Sequence, residues 1–415
     1  MRPPPPHRAT TAHLQAAYPF LAEGGLGGRG VYIGRDLFGG SFCHDPWELY
    51  GRGVLTGPNM IVLGQIGRGK SSFIKSYLWR SQVFGRQAWV VDPKGEYSLL
   101  AEASGTRPLR IGPGLGVRLN PLDPGPSAGQ GAGLDPDRRQ AELLCSLAAA
   151  SLGRPLSPEE RTSTELALAA AAGRSAQPTL PAVVDALLRP RPASAALVHT
   201  DPVRLAADGR QVALELRRLV EGDLAGMFDG PTTTALDLSG PLVVLDLSAL
   251  YASPALGILM TCATAWLQNV LQRADGVRRL VVVDEAWAIL HNLAMGRWLR
   301  AGFKLARAHG VSYVAVVHRL SDLKAAGADG SEQQHLAEGL LSDSETRVVY
   351  GQPPSEVAAA VEWLGLTSTE ADLLPHLPRG VALWKVGTRS FLVEHRLARH
   401  ERALVDTDAR MVPAQ

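Results

Sequence analysis

Hydrophobic and polar positions follow two regimes along this chain. In the first, short apolar runs end abruptly in small or polar residues: Met60 to Leu63, Gln87 to Val91, Leu242 to Leu247, Leu280 to Val283, Val311 to Val317 and Thr346 to Tyr350. Runs of this length without alternation suit strands buried on both faces. Helical stretches follow several of them, including Ser71 to Gln82, Pro254 to Arg273 and one reaching Arg307. Strands alternating with helices predict an α/β fold built on a mainly parallel sheet. A further short strand is expected at Pro108 to Ile111, and Val381 to Val386 with Ser390 to Glu394 reads as a closing hairpin.

In the second regime, from Asp135 to about Gly226, the chain is rich in Ala, Leu and Arg and poor in β-branched residues, which predicts helices. Ser157-Pro-Glu-Glu160 combines a capping box with Pro at the first helical position, and Asp201-Pro-Val and Ser253-Pro-Ala repeat the start signal. Gly125 to Gly133 is a Gly/Pro/Ser linker. Residues 126–230 therefore read as an all-α subdomain inserted between two parts of the core, 58–125 and 231–400. Residues 25–57 read as a small N-terminal β segment, with strands in Gly30 to Gly34 and Gly40 to Cys43. Residues 1–24 read as a disordered, Pro-rich tail and 401–415 as a C-terminal tail.

The strand at Met60 to Leu63 runs straight into Gly64-Gln65-Ile66-Gly67-Arg68-Gly69-Lys70-Ser71-Ser72. Residues 64 to 71 hold the full G-x-x-x-x-G-K-[ST] pattern of a phosphate-binding loop, placed between a strand and a helix as the chemistry requires. Glycines let the backbone turn its N–H groups inward at phosphate oxygens. Lys70 reaches the β- and γ-phosphates, the Ser71 hydroxyl ligates Mg²⁺, and the helix aims its positive end at the anion. Gly25-Leu-Gly-Gly-Arg-Gly30 also fits a G-x-G-x-x-G pattern, but it lacks the flanking strand and helix and reads as a loop.

Composition narrows the picture. The chain has 415 residues, 46% hydrophobic and 20% charged, as in an ordinary soluble protein of more than one domain. A net charge of +2 gives no global case for nucleic-acid binding, so any DNA contact has to come from local patches. Cys43, Cys145 and Cys262 are too scattered for a disulfide framework or a zinc site. No apolar stretch reaches ~20 uninterrupted residues, and the N-terminus lacks the apolar core of a signal peptide. The expectation is a cytoplasmic protein, peripheral at the inner face of a membrane through a partner.

A second half of the site follows from Leu280-Val-Val-Val-Asp284-Glu285, an apolar strand ending in two acids. Paired with a phosphate loop, Asp284 supports the Mg²⁺ shell and Glu285 orients and deprotonates the attacking water. More than two hundred residues separate Lys70 from Asp284, which points to a motor-type NTPase and away from a compact kinase.

Val-Val-Asp92-Pro-Lys-Gly-Glu96-Tyr, Leu119-Asn-Pro-Leu-Asp123, Phe228-Asp-Gly-Pro and Val-Asp284-Glu-Ala-Trp287 occur in that order. Together they resemble the ATPases of conjugation and type IV secretion, a branch of the HerA–FtsK superfamily, and most of all its VirB-type energising members, in an actinobacterial-like form. The resemblance spans Gly30 to the C-terminus, without the long N-terminal domain of the large energising ATPases. It implies a RecA-like P-loop fold, ATP as the nucleotide, a homo-hexameric ring and secretion or conjugation channel proteins as partners, with DNA a further candidate. It implies a polar sensor at the end of the strand after the Asp-Glu strand, where this chain has His318 in place of the usual glutamine. It implies an arginine finger, for which Arg307 and Arg347 are the candidates. Arg300, Lys304 and Arg307 share a helical spacing. Asp92, at a strand's C-terminal edge, is expected to contact the phosphate side. Trp287 is expected to pack beneath the site. A DNA-translocating coupling protein of the same superfamily, or a nucleotide-switched assembly scaffold with little turnover, remain the alternatives.

Overall fold

The computed structural model describes residues 25–123, 136–222, 224–233, 240–251, 276–286, 293–321 and 332–405, together with Leu238, Met260 and Cys262. The expected tails before residue 25 and after residue 405, the linker at 125–133, Trp287, and the helix expected over 254–273 apart from Met260 and Cys262 lie outside the described residues.

The apolar runs become the strands of one sheet. β1 (Val31–Asp36) and β2 (Ser41–His44) precede α1 (Pro46–Gly51). β3 (Met60–Leu63) leads through the phosphate loop into α2 (Lys70–Ser81). β4 (Gln87–Asp92), α3 (Ser98–Ala103) and the two-residue β5 (Leu109–Arg110) come next. The second regime gives α4 (Pro136–Leu152), α5 (Pro158–Ala172), α6 (Leu180–Leu188), α7 (Pro192–Ala196) and α8 (Pro202–Glu221). β6 (Leu242–Asp246), β7 (Arg279–Val283), α9 (Leu293–Leu305) and β8 (Val311–Val317) return to the sheet. α10 (Glu332–Ser342), β9 (Thr346–Tyr350), α11 (Pro354–Leu364), β10 (Val381–Val386) and β11 (Arg389–His395) follow.

The eleven strands lie in the order β2-β1-β11-β10-β9-β3-β8-β7-β4-β6-β5. From β9 to β5 all neighbours are parallel. From β2 to β9 all are antiparallel. The N-terminal β segment is thus the outer margin of the same sheet, held through β11.

Alternate residues of each central strand enter opposite cores, as the pleat dictates. Ile61, Leu63, Trp89, Val91, Val281 and Val283 join a cluster with Leu144, Leu147, Leu187 and Leu216 of the inserted helices. Met60, Val62, Val90, Val282 and Val316 join the opposite cluster with Phe73, Ile74, Tyr77 and Leu78 of α2. Both faces are therefore covered, which is why the strand sequences lack polar–apolar alternation. In the helical region Ser157 Oγ accepts the N–H of Glu160 while the Glu160 carboxylate accepts the N–H of Ser157, and Asp201 caps α8 through the N–H groups of Val203 and Arg204. Cys43, Cys145 and Cys262 are buried free thiols. Among the described residues no helix is long and apolar enough to cross a membrane.

Candidate active site

The strand order decides which residues meet. β8, β7 and β4 are successive neighbours of β3, so the residues at their C-terminal ends form one row beside the phosphate loop. That row reads Lys70, His318, Glu285 and Lys94.

The loop itself is built by close approach. A Cβ on Gly64 would lie 2.5 Å from Cβ of Tyr350 on neighbouring β9, so no other residue fits there without displacing β9. Gly69 takes φ +113° as the N-cap of α2 and offers no side-chain cap, nor does the first turn hold an acid. The first N–H groups of α2 are thus left for an anion. Gln65, Ile66, Gly67 and Arg68 complete the loop, with Ile66 exposed at its tip, and Ser71 and Ser72 are half-buried on the first turn. Lys70 is buried and donates to the carbonyls of Gly64 and of Gln65 (3.2 Å). Burial pulls its ammonium down to about 8, against the opposing pull of Asp284 and Glu285.

The side of the loop toward β9 is fastened to the antiparallel part of the sheet. Gly380 N–H donates to Arg68 O (2.9 Å), Gln65 N–H to Gly351 O (3.4 Å), and the Arg68 side chain reaches Leu377 O (3.5 Å). His395 N–H of β11 in turn donates to Gly380 O (2.8 Å).

Asp284 is buried, with Oδ1 accepting the N–H of Glu285 (3.0 Å) and the Tyr97 hydroxyl 3.5 Å from Oδ2. Burial, then the neighbouring charges of Glu285 and Asp92, push its carboxyl up to about 7. A cation beside so destabilised a carboxylate would relieve it. Ser71 Oγ and the Asp284 carboxylate are hard oxygen donors that fit Mg²⁺, which takes few protein ligands and fills its shell with phosphate oxygens and water. Among the described residues no group of three or more His, Cys, Asp or Glu forms a metal cage.

Glu285 has φ +53°, a left-handed backbone that costs a non-glycine residue about 1–3 kcal/mol. Its buried Oε1 accepts from His318 Nε2 (2.7 Å) and from Lys94 Nζ, which itself lies 3.4 Å from His318 Nε2. Burial alone would raise the Glu285 carboxyl; the hydrogen bonds from His318 and Lys94 outweigh it and hold it down at about 2. Because the carboxylate can only accept, His318 Nε2 carries a proton, and its Nδ1 is buried without a partner.

Three sequence expectations change here. Asp92 is a turn former: Oδ1 accepts the N–H groups of Lys94 (3.1 Å) and Gly95 (2.9 Å), and Oδ2 that of Tyr97 (3.0 Å). It is fully buried, and both of its oxygens are engaged by its own loop. Arg347 is engaged within its own chain, its guanidinium donating to the carbonyls of Ser344, Leu364 and Leu341. Arg307 lies beyond the end of α9, in the turn before β8, exposed and 3.3 Å from Thr56 O. It thus stands at the opposite sheet edge from its own phosphate loop, and Arg300, on the helix proper, turns to Asp343 (3.5 Å).

Lys94 was not foreseen. Its signal is the Asp-Pro-Lys-Gly turn closing β4, which becomes meaningful only once β4 is known to pair with β7 in the register Val91↔Val283. Gln352, buried next to Gly351 with neither amide atom partnered, was likewise not legible.

No protein-family profile and no curated protein sequence matches the chain. Solved structures do. VirB4 of Thermoanaerobacter pseudethanolicus superposes with a TM-score of 0.75 over 91% of this chain and 100% of its own, at 23% identity. The fold is that of VirB4. The plasmid coupling protein TrwB, in complex with a non-hydrolysable GTP analogue, shares it more loosely, with TM-score 0.53, 16% identity, and 82% and 86% of the two chains covered. The same protein with ADP and Mg²⁺ gives TM-score 0.52 at 16% identity, over 82% of this chain and 86% of that one. The architecture is therefore an α/β, RecA-like P-loop fold with helices inserted between β5 and β6.

Proposed function

We propose that this chain is a Mg²⁺-dependent ATPase motor that couples hydrolysis to conjugative DNA transfer or to a type IV secretion channel. The observation that carries the proposal is the row at one sheet edge: a complete phosphate loop, the buried carboxyl of Asp284, and Glu285 held by partners. The shared fold supports it. VirB4 has that fold, and TrwB, a bacterial conjugative coupling protein, has structures with an ATP analogue, a GTP analogue, and ADP with Mg²⁺.

In this reading the N–H groups from Gly64 to Gly69 and the first turn of α2 bind the β- and γ-phosphates. Lys70 exchanges the carbonyls of Gly64 and Gln65 for phosphate oxygens. Ser71 and Asp284 hold Mg²⁺, which neutralises phosphate charge. Glu285 takes the proton of the attacking water, and His318 positions the Glu285 carboxylate through Nε2. Arg307 serves the site of a neighbouring copy in a homo-hexameric ring, since it stands far from its own loop. Such a finger is worth roughly 10³–10⁵ in rate. Channel proteins, DNA and a cytoplasmic place at the inner face of the membrane belong to the same proposal.

Phosphate release from Mg-ATP by the purified protein, with and without single- and double-stranded DNA and beside Lys70→Ala, tests it. Hydrolysis lost in the variant supports the motor, and stimulation by DNA selects a translocase acting on nucleic acid. Absence of hydrolysis overturns it. One observation favours a second reading, a nucleotide-switched scaffold with little turnover: the Glu285 carboxylate is already occupied by Lys94 and His318. Nucleotide-dependent oligomerisation without sustained phosphate release would select that reading.

A further inference from the structure

Lys94 is the one residue of the row whose presence the phosphate-loop chemistry does not explain. Its backbone is fixed. Asp92 accepts the N–H of Lys94 itself, of Gly95 and of Tyr97. Gly95 sits at φ +70°, where a Cβ would lie 3.0 Å from Ser248 Oγ. The side chain that leaves this rigid turn is a flexible four-carbon stem, a quarter exposed, with its ammonium on the buried Oε1 of Glu285 and 5.9 Å from the centre of the Tyr251 ring. The same oxygen receives His318 Nε2. Oε1, holding an ammonium and an imidazole N–H, has little capacity left to accept a proton from water, and the adjacent positive charge lowers the basicity of the whole carboxylate, Oε2 included. The His318 bond orients the carboxylate, whereas the Lys94 ammonium opposes the proton transfer directly.

We propose that Lys94 is a positioning residue that restrains Glu285, and that the pair has to open before water can be activated. The charge of a nucleoside triphosphate on the neighbouring loop is what draws the ammonium away. The proposal rests on the reading of Glu285 as the base.

The test is steady-state phosphate release from Mg-ATP by the full chain, without partners, comparing wild type with Lys94→Met, Lys94→Gln, Lys94→Arg and Glu285→Gln. Both neutral variants are expected to raise kcat roughly 5-fold, the size of a lost part-buried ion pair, with KM within about twofold. Lys94→Arg keeps the charge and is expected to restore the wild-type rate. Lys94→Met combined with Glu285→Gln is expected to stay inactive. Unchanged or lower kcat in the neutral variants, with Glu285→Gln inactive, overturns this proposal alone. Wild-type turnover by Glu285→Gln overturns the base reading and this proposal together. Failure of both neutral variants to bind ATP assigns Lys94 to the fold and also overturns it.

Discussion

The inserted helices and the C-terminal edge of the parallel strands handle charge in opposite ways. In the helices most ionic groups sit at the surface, and they and the buried Glu160 are answered locally. Arg138–Glu142, Arg204–Asp208 and Arg217–Glu221 are pairs one helical turn apart, and Ser157, Glu160 and Asp201 close helix ends. Every such device lowers the energy of its own element by a small amount. At the strand edge, Asp284, Asp92 and Glu285 are buried close together, one of them on a left-handed backbone, and two of the three carboxyls are pushed up toward neutrality. Unfavourable electrostatics and strain are concentrated where a triphosphate and its cation would relieve them. The contrast locates function without reference to any motif: one region is optimised for its own stability, and the other is poised to bind and react.

The sharpest way to break this comparison is Glu285→Gln. It preserves shape and removes the proton acceptor, so kcat is expected to fall by about 10²–10⁴ while nucleotide affinity persists. Single-turnover phosphate release beside equilibrium binding of labelled ATP checks both halves. Next in size is Gly64→Ala. Its methyl would enter Tyr350, and the loop would lose its path at a cost of about 1–3 kcal/mol. Loss of ATP binding with a lowered unfolding midpoint is the expected result.

Asp284→Asn tests the edge from the stability side. The folded carboxyl is raised to about 7 from an ordinary value near ~4. The folded chain therefore keeps a proton that the unfolded chain releases between these pH values, so stability falls as pH rises through that window and stays lower above it. Asparagine removes the penalty. Without Mg²⁺ or nucleotide the variant is expected to be more stable at pH 8 by on the order of 1–3 kcal/mol, and scarcely so at pH 4. Denaturant melts at the two pH values measure this. The smallest effect belongs to the helices: Arg217→Ala breaks an exposed pair and is expected to cost under about 0.5 kcal/mol. A loss above 2 kcal/mol there would erase the contrast.

What could be read in the sequence was local. The phosphate loop is one contiguous stretch with a strand before it and a helix after it. Asp284 and Glu285 end an apolar run, and the start of α5 is written in four residues. What could not be read depends on pairing at long range. Nothing near residue 94 announces that β4 lies against β7, so the Pro-Lys-Gly turn does not by itself point its lysine at Glu285. Asp92 stood at a strand edge, where both a ligand contact and a turn cap are reasonable. Only the N–H groups pointing at it decide between them. Arg347 is a surface basic residue by sequence, and it is occupied because α10 and α11 bring their C-terminal carbonyls to it. The joining of β1 and β2 to the main sheet through β11 spans nearly the whole chain.

The backbone bond between Arg68 and Gly380 gives the phosphate loop a mechanical anchor. Gly380 is bonded to His395 of β11, β11 is laddered to β1, and β1 to the outermost strand β2. Hydrogen-bonded ladders are stiff along this direction, so the loop and the outer margin of the sheet form a continuous load path. Pulling on the β1–β2 hairpin would therefore load the loop at Arg68, and a loop drawn tight around an anion would load the hairpin in return.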